Sequence, residues 1–330
     1  MKAAFYTGYG AARAVLETGE LPEPQPGPGE VRVRVRFSGI NPSDSNRRLG
    51  IRDRPGHPLI IPHSDGSGEI DAVGEGVSRS RLGEKVWIWN AQRGRPFGTA
   101  AEYVALPSRQ AVTLPPGATL EDGASFGVPA MTAYYSLFDD GPLEGKDVLV
   151  TGGAGAVGFY AVQFAKLAGA RTLIATVSSD EKARMAANAG AAVVINYRTA
   201  DVAGRIMEAT EGRGVDHISE VDFGGNLKTT LAVMKVGCAI GAYASKGAPE
   251  PAVPFYPLLF NNVVVRFIQC YAMPDGIRER AHADLARWSA QGTLKHLPTK
   301  VMALEEVAAA HELVEQSGFI GKVMLRLSAG

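Results

Sequence analysis

The chain has 330 residues, of which 45% are hydrophobic and 21% charged, a composition typical of a globular protein of about two domains. The formal net charge is zero, which argues against a nucleic-acid partner or an anionic membrane surface. The N-terminal MKAAFYTGYG has no apolar core of a signal peptide, and no apolar run approaches the roughly 18 residues of a membrane span, so we expect a cytoplasmic protein.

Short strands dominate the first part of the chain. VRVRVRFSGI alternates strictly, and SGEIDAVGEGV, EKVWIWN and AAEYVALP follow it between turns rich in glycine and proline. This pattern predicts an all-β, barrel-like domain. Trp87 and Trp89 alternate on one predicted strand, where Trp87 either lines a pocket for a flat ring or packs in the core.

Further along the chain, apolar strands alternate with helices. DVLVTGG, TLIATV and AAVVIN are typical of buried strands, and GFYAVQFAKLAGA and SSDEKARMAANAG of helices, the second with a capping box from Ser178 to Glu181. This alternation predicts a parallel sheet covered on both faces. The last apolar run, VVVRFIQCY, ends that sheet, and we expect its edge to pair with a second copy in a homodimer.

The C-terminal part contains two more helices and a final strand, GKVMLRL, which we expect to pair back into the first domain. The predicted fold class is α/β. Residues 1–123 and 271–330 are predicted to form the barrel-like catalytic domain, and residues 124–270 the dinucleotide-binding domain. Cys238 and Cys270 lie in apolar runs and are expected to be free, buried thiols.

A glycine-rich turn follows the first buried strand of the second domain. Gly153, Gly155 and Gly158 fit the pattern G-x-G-x-x-G between a strand and a helix, which is the context of a dinucleotide site. The glycines permit a tight turn and a close approach of the backbone to a pyrophosphate, and the helix N-terminus offers free N–H groups. The motif predicts dinucleotide binding, and its alternative is a tight structural turn.

The residues after the next strand indicate which dinucleotide binds. A site for NAD usually has an acid about 20 residues past the glycine motif, where this chain has Ser178. Ser178, Ser179, Lys182 and Arg184 offer hydroxyls and cations to a 2′-phosphate, which favours NADPH. The alternative is that Ser178 only caps the helix and that Asp180 turns back to the ribose of NADH.

Metal ligands are not evident in the sequence. The six histidines show no ligand spacing and there is no CxxC motif, so we predict no metal site. His57 and His63 lie in a proline-rich stretch, and each is expected to be a solvated loop histidine.

Together, GINPSD, PHSDGSGEI, TAYYSL, VTGGAGAVGFYAVQFAK and INYR resemble the medium-chain dehydrogenase/reductase superfamily. Within it, nearly the whole chain resembles the zinc-free NADPH:quinone oxidoreductase, or zeta-crystallin-like, branch. The resemblance implies a GroES-like β-barrel catalytic domain and a Rossmann domain with a doubly wound parallel sheet.

The resemblance also implies that zinc is absent. In the zinc alcohol dehydrogenases of the superfamily, a cysteine ligand falls near Asn41, a His-Glu pair at Ser64 and Asp65, and a third ligand near Val128. This chain has no thiol or imidazole at these positions, and WIWNAQRGRPFGTAAEYV lacks the lobe with four structural cysteines.

The same resemblance implies contacts with the cofactor. They fall at the nicotinamide (Asn41, Tyr243, Ser245, Phe267, Ile268), the pyrophosphate (Gly153, Ala156, Val157, Gly158, with Gly155 of the motif), the 2′-phosphate (Ser178, Lys182) and the adenine ribose (Tyr197). Lys322 matches a C-terminal residue that reaches the cofactor.

The predicted substrate pocket departs from the family pattern. Where the pattern D-x-Y-x-R-x-G has a tyrosine, this chain has Asn46, while Arg48 and Gly50 are kept. We therefore expect a more polar pocket lined by Asn46, Arg48, Ser64 and Trp87.

The predicted reaction is hydride transfer from NADPH to a quinone or an α,β-unsaturated carbonyl compound. Asn41 and Asp44 are the candidate catalytic residues, although an aspartate placed like Asp44 also braces a helix start. One alternative is an alkenal or enoyl-thioester reductase, with a cationic rim for coenzyme A formed by Arg47, Arg48, Arg52 and Arg54. Another is a crystallin-like protein that binds the cofactor without turnover.

Overall fold

The computed structural model describes residues 1–51, 54, 56–316 and 318–327. Its strands are β1 (Lys2–Phe5), β2 (Glu17–Glu20), β3 (Glu30–Ile40), β4 (Asp65–Val73), β5 (Lys85–Ile88), β6 (Tyr103–Pro107), β7 (Ala111–Thr113), β8 (Asp147–Val150), β9 (Thr172–Val177), β10 (Val193–Asn196), β11 (Val215–Glu220), β12 (Met234–Ala242), β13 (Val264–Phe267), β14 (Thr299–Ala303) and β15 (Lys322–Arg326). Its helices are α1 (Ala12–Val15), α2 (Pro42–Leu49), α3 (Leu120–Gly123), α4 (Met131–Phe138), α5 (Ala156–Leu167), α6 (Asp180–Ala189), α7 (Val202–Ala209), α8 (Phe223–Val233), α9 (Phe255–Phe260), α10 (Asp275–Ala290) and α11 (Val307–Glu315). Among these residues, no helix is long and apolar enough to cross a membrane.

The chain forms two compact units. Unit 1 consists of Met1–Val128 and the chain from Leu285 onward, and unit 2 consists of Pro129–Asp284. The limits predicted from the sequence were 123/124 and 270/271.

Unit 1 contains a seven-stranded sheet. Six of its strands are neighbours in the order β14-β15-β3-β4-β5-β7, and the seventh, β6, pairs with β3. The strict alternation of β3 puts Val31, Val33 and Val35 in the core, as a half-buried strand requires. The final strand β15 pairs antiparallel with β3, which confirms that the tail returns to the first domain. The predicted GroES-like architecture is confirmed.

Unit 2 contains a six-stranded sheet in the order β10-β9-β8-β11-β12-β13, and every pair of neighbouring strands is parallel. Counted within the unit, this order is 3-2-1-4-5-6, that of a dinucleotide-binding fold, and it reverses between β8 and β11. The predicted doubly wound parallel sheet is confirmed, with β13 at one edge. Cys238 and Cys270 are both buried, as predicted.

Candidate active site

Asn41 stands at the junction between β3 and α2 in unit 1. Its extended backbone (φ −123°) ends the strand and leads into Pro42 at the first helical position, which suits proline because that position needs no N–H donor. The Asn41 N–H donates to the carboxyl of Asp44 at 2.8 Å. Asp44 therefore braces the helix start, the second of the two roles that the sequence allowed.

Strand register brings two more charged residues to Asn41. Asp65 is the first residue of β4 and lies opposite Gly39 of β3. Lys322 is the first residue of β15, directly before Val323, which lies opposite Ile40. The Lys322 ammonium donates to Asn41 Oδ1 at 2.6 Å, and Asn41 Nδ2 donates to Asp65 Oδ2 at 2.7 Å.

This cluster is buried, and burial dominates its electrostatics. Loss of water raises the pKa of Asp44 to about 7, and the neighbouring Asp65 carboxylate adds to the rise. Burial also raises the pKa of Asp65, although the Lys322 ammonium opposes that rise. For Lys322, burial lowers the pKa and Asp65 and Asp44 oppose the change. The cluster thus combines one ammonium with two carboxyl groups, and burial opposes the charge of all three.

Beside this cluster lies a buried histidine pair that sequence reasoning missed. His63 and His311 face each other with their Nε2 atoms 2.9 Å apart, and neither side chain is exposed. The expectation that His63 is a solvated loop histidine is wrong. Because the partners are 248 residues apart in the chain, no spacing rule connects them.

The hydrogen-bonded chain around this pair has one possible direction. Thr99 donates its hydroxyl to the Asp65 carbonyl at 2.5 Å, so Ser38, 2.8 Å from Thr99, must donate to Thr99. Ser38 then has to accept from His63 Nδ1, at 2.8 Å. Burial lowers the pKa of both imidazoles, that of His311 to about 3, so both are neutral. Neutral His63 accepts at Nε2 from His311, whose bare Nδ1 faces the Ser45 hydroxyl at 3.4 Å.

The residues predicted to line a substrate pocket are mostly buried. Trp87, on β5, packs edge-on against Phe126 with ring centroids 5.9 Å apart. It therefore belongs to the core, which is the second of the two interpretations that the sequence allowed. Ser64 is also buried, and its carbonyl accepts the N–H of Ala91 at 3.0 Å. Asn46 is half-buried on α2.

The predicted cationic rim is not assembled as expected. Arg48 is fully buried and donates to the Gly10 carbonyl and the Glu315 carboxylate, so it braces the fold instead of facing a substrate. Arg47 bonds to Gln92, and Arg54 lies over the ring of Tyr9. Arg52 lies outside the described residues.

In unit 2, the glycine motif forms a loop between β8 and α5. Gly152 has a left-handed backbone (φ +68°), so the tight turn falls one residue before Gly153. At Gly158 a Cβ atom would lie 2.2 Å from the Gly152 carbonyl oxygen, which only glycine avoids. A Cβ at Gly155 would meet only that same oxygen, at 3.4 Å, and Gly155 precedes the N-terminal residues Ala156 and Val157 of α5. This loop fits the pyrophosphate of a dinucleotide.

The helix after β9 begins one residue later than the sequence predicted. Ser179, and not Ser178, is the N-cap of α6, and its hydroxyl accepts the N–H of Lys182 at 3.3 Å. The predicted capping box from Ser178 to Glu181 is thus wrong, because the residue three positions after the observed N-cap is Lys182. Ser178 directly follows β9, while Asp180 is exposed in the first turn of α6. Tyr197, after β10, is half exposed.

The carboxyl edge of this sheet carries two buried polar atoms without partners. Glu220 Oε1 accepts from Thr151 at 2.9 Å, Asn226 at 2.8 Å and the N–H of Asp222 at 2.5 Å. Within the described part of the chain, Glu220 Oε2 and the hydroxyl of Tyr243 have no hydrogen-bond partner. Sequence reasoning missed Glu220, whose signal was an acid at the end of an apolar strand.

The other residues expected at the nicotinamide lie at the end of β13 or just after β12 and β13. The Ser245 hydroxyl accepts the N–H of Gly224 at 2.9 Å and donates to the Ala248 carbonyl at 2.5 Å, so it braces its own loop. Phe267 is 72% exposed, and Ile268 is buried with its N–H on the Ala242 carbonyl.

Comparisons with known proteins agree with this architecture. The family model for the alcohol dehydrogenase GroES-like domain matches residues 27–116, and that for zinc-binding dehydrogenase matches residues 156–287. A quinone oxidoreductase of Pseudomonas aeruginosa is 38% identical over 179 residues, covering 54% of this chain and 53% of that protein. The quinone oxidoreductase of Lama guanicoe is 30% identical over 291 residues, covering 88% and 86%.

A solved structure extends the likeness to the full fold. A mycobacterial protein in complex with NADPH has a TM-score of 0.87 at 27% identity and covers 99% of this chain and 100% of its own. The chain therefore belongs to the medium-chain dehydrogenase/reductase superfamily and is an oxidoreductase. Within the superfamily it falls in the quinone oxidoreductase branch.

The donor set in unit 1 does not fit the zinc ion that the second family model describes. Asp65 Oδ1 accepts the backbone N–H of Val128 at 2.8 Å, and Asp65 Oδ2 accepts from Asn41. The Lys322 ammonium, 3.7 Å from Asp65 Oδ2, would repel a dication. Among the residues that the structure describes, no group of three histidine, cysteine or acidic side chains is arranged to hold a metal ion.

The raised pKa of Asp44 predicts a pH-dependent stability difference between the wild type and Asp44→Asn. A carboxyl pKa that is higher in the folded state stabilises the fold at low pH, and this contribution is lost as the pH rises from about 4 through 7. Urea unfolding should therefore show the wild type losing up to roughly 4 kcal/mol relative to Asp44→Asn between those limits. The surface variant Glu305→Gln is the control, and a pH-independent difference for Asp44→Asn would contradict the assignment.

The direction of the hydrogen-bonded chain predicts the tautomers of both buried histidines. In ¹⁵N-labelled protein, imidazole NMR should show His63 protonated on Nδ1 and His311 on Nε2. Thr99→Val removes the donor that fixes the direction and should change this pattern, whereas Thr113→Val, at an exposed threonine, should not. Protonation of both rings on Nε2 in the wild type would refute the assignment.

Proposed function

We propose that this chain is a zinc-independent reductase that uses NADPH to reduce a quinone or another conjugated carbonyl compound. The observation that carries the proposal is the loop Gly152–Gly158 at the carboxyl edge of a 3-2-1-4-5-6 sheet, next to strand β9, which Ser178 directly follows. The names of the quinone oxidoreductase relatives and the NADPH complex of the mycobacterial protein support it.

Residues of unit 2 are suited to bind and orient the cofactor. The N–H groups at the start of α5 suit the pyrophosphate, and Gly155 leaves room for its approach. Because Ser179 is the helix cap, Ser178 can direct its hydroxyl to the 2′-phosphate, together with the Lys182 ammonium. We propose contacts near the nicotinamide for Tyr243, Phe267 and the other residues that the family resemblance implies. When bound, NADPH supplies the hydride.

The acceptor class follows from what unit 1 offers. A donor set that does not fit zinc cannot form the metal alkoxide through which an alcohol is oxidised. A quinone or enone is electrophilic through its own conjugation, so it needs orientation more than Lewis-acid activation. Asn41, held by Lys322 and Asp65, is the residue that we propose for this orientation.

The alternative enoyl-thioester reductase loses support from the structure. Its cationic rim for coenzyme A included Arg48, which is buried against Glu315. A crystallin-like protein without turnover would keep the same cofactor loop, so only an assay separates it from a reductase.

We also propose that unit 2 pairs with a second copy along β13. Helix α9 has no buried residue, and Phe255, Tyr256 and Phe260 on it are each at least 65% exposed. Val264 and Phe267 of the edge strand are exposed as well. An apolar patch beside an unpaired strand edge is typical of a surface covered by another chain.

The proposed function predicts NADPH-selective turnover with quinones. NADPH and NADH oxidation should be followed side by side with 1,4-benzoquinone, a naphthoquinone and a small enone. Lys182→Met should raise the KM for NADPH by roughly 10-fold or more, because it removes a charge-assisted contact, and should leave NADH unaffected. The exposed Lys228→Met in the same unit is the control.

Other results of this assay point to other functions. Turnover with the enone alone would assign the chain to the alkenal reductases. Preference for NADH would mean that Asp180 holds the ribose. Tight NADPH binding with no turnover would support the crystallin-like alternative.

The proposed pairing predicts a dimer in solution. Small-angle scattering should give the mass of two chains for the wild type and of one chain for the double variant Phe260→Lys with Val264→Lys, since two buried ammonium groups would oppose pairing. Leu82→Lys, at an exposed leucine of unit 1, should remain dimeric. A monomeric wild type would contradict the proposal.

A further inference from the structure

Lys322 is an unusual residue of unit 1 because its long cationic side chain is only 3% exposed. Lysine is almost never fully buried unless its charge is paired. Here the ammonium donates to Asn41 Oδ1 at 2.6 Å and lies 3.7 Å from Asp65 Oδ2. Both partners are themselves buried, so no surface ion pair explains this arrangement.

The contacts of Asn41 fix the orientation of its side-chain amide. A lysine ammonium can only donate, so the Asn41 atom that faces it must be Oδ1. A carboxylate can only accept, so the atom that faces Asp65 must be Nδ2, and their separation is 2.7 Å. The backbone N–H of Asn41 is held in addition by Asp44. The amide therefore cannot flip without facing a cation with its NH₂ group and a carboxylate with its oxygen.

Asp65 is held as firmly as Asn41. Its Oδ1 accepts the N–H of Val128 at 2.8 Å, while its Oδ2 faces both Asn41 and Lys322. Four distant segments of the chain thus meet around one carboxylate and one ammonium. These are the segments in which the family resemblance placed zinc ligands, with Lys322 added.

We propose that the Lys322 ammonium is the fixed cation of this site, taking the place that a metal ion has in a zinc-binding dehydrogenase. It compensates the charge of Asp65 and locks the amide of Asn41, so Lys322 and Asp65 are positioning residues that act through Asn41. The part played by Asn41 in turnover rests on the proposed function. The compensation of charge and the exclusion of a metal do not depend on the proposed function.

A double-variant cycle tests the compensation of charge without any assay of turnover. Lys322→Met keeps most of the side-chain volume but leaves the Asp65 carboxylate unpaired, and should lower the thermal midpoint by roughly 10 °C. Adding Asp65→Asn removes the second charge and should recover at least half of that loss. If Lys322→Met does not fold, recovery of a folded protein in the double variant has the same meaning. A thermal midpoint of the double variant that is equal to or lower than that of Lys322→Met would overturn the proposal.

The positioning role has its own readout. Lys322→Ala should lose kcat, and propylammonium should restore it in a saturable manner, whereas propanol, which has similar volume but no charge, should not. In the double variant, stability should return while kcat stays low. Rescue by propanol as well, or recovery of kcat in the double variant, would show a merely structural role.

Metal analysis provides the third test. After dialysis against Zn²⁺, the wild type should retain no zinc that depends on Asp65. Zinc that is retained by the wild type and lost in Asp65→Asn would overturn the proposal. If the wild type shows no turnover with any acceptor, the proposed function fails, but the stability cycle and the zinc measurement still decide the role of Lys322.

Discussion

The structure of unit 1 depends on one constraint, which is that the charge on buried Lys322 must be matched. The ammonium is bound by Asn41 and faces Asp65, and these residues come from the end of β3, the start of β4 and the start of β15. Removing such charges from water costs several kcal/mol per ion unless partners are in place. The register of β15 on β3 and of β3 on β4 supplies those partners, so sheet pairing and charge pairing favour the same arrangement.

The glycine loop of unit 2 has a different requirement, which residues close together in the sequence satisfy. Gly152 turns the chain after β8, and Gly158 lets α5 pack closely on that turn. Both demands arise within a few residues, and neither needs a distant partner. Glu220 adds a connection, because its Oε1 collects donors from Thr151, next to the glycine loop, and from Asn226 on α8. Glu220 Oε2 and the Tyr243 hydroxyl, which have no hydrogen-bond partner among the described residues, leave polar capacity at the edge where such folds bind a dinucleotide.

This contrast explains what could be predicted from the sequence. Local sequence patterns and the short-range alternation of apolar residues predict three features. These are the glycine loop, the order of strands and helices, and the return of GKVMLRL to the first domain. The N-cap was predicted one residue too early, at Ser178, because either of two adjacent serines can cap a helix and the backbone geometry selects Ser179. His63 and His311 were missed because a proline-rich stretch is ordinarily exposed, and only the tertiary fold brings the second imidazole to the first. Likewise, the arginine pattern near Arg48 did not reveal that Glu315 would bury it.

A fixed ammonium and a metal ion would make different demands on the substrate. A catalytic zinc keeps an open coordination position and polarises the oxygen that binds there. The Lys322 ammonium instead faces Asn41 and Asp65 inside the unit, so it orients an amide dipole and leaves no open coordination position. A reductase built in this way gains from preorganised polar groups, and its acceptor must bring its own electrophilicity. Quinones and enones do so through conjugation, which is why the buried lysine and the proposed substrate class are consistent with each other.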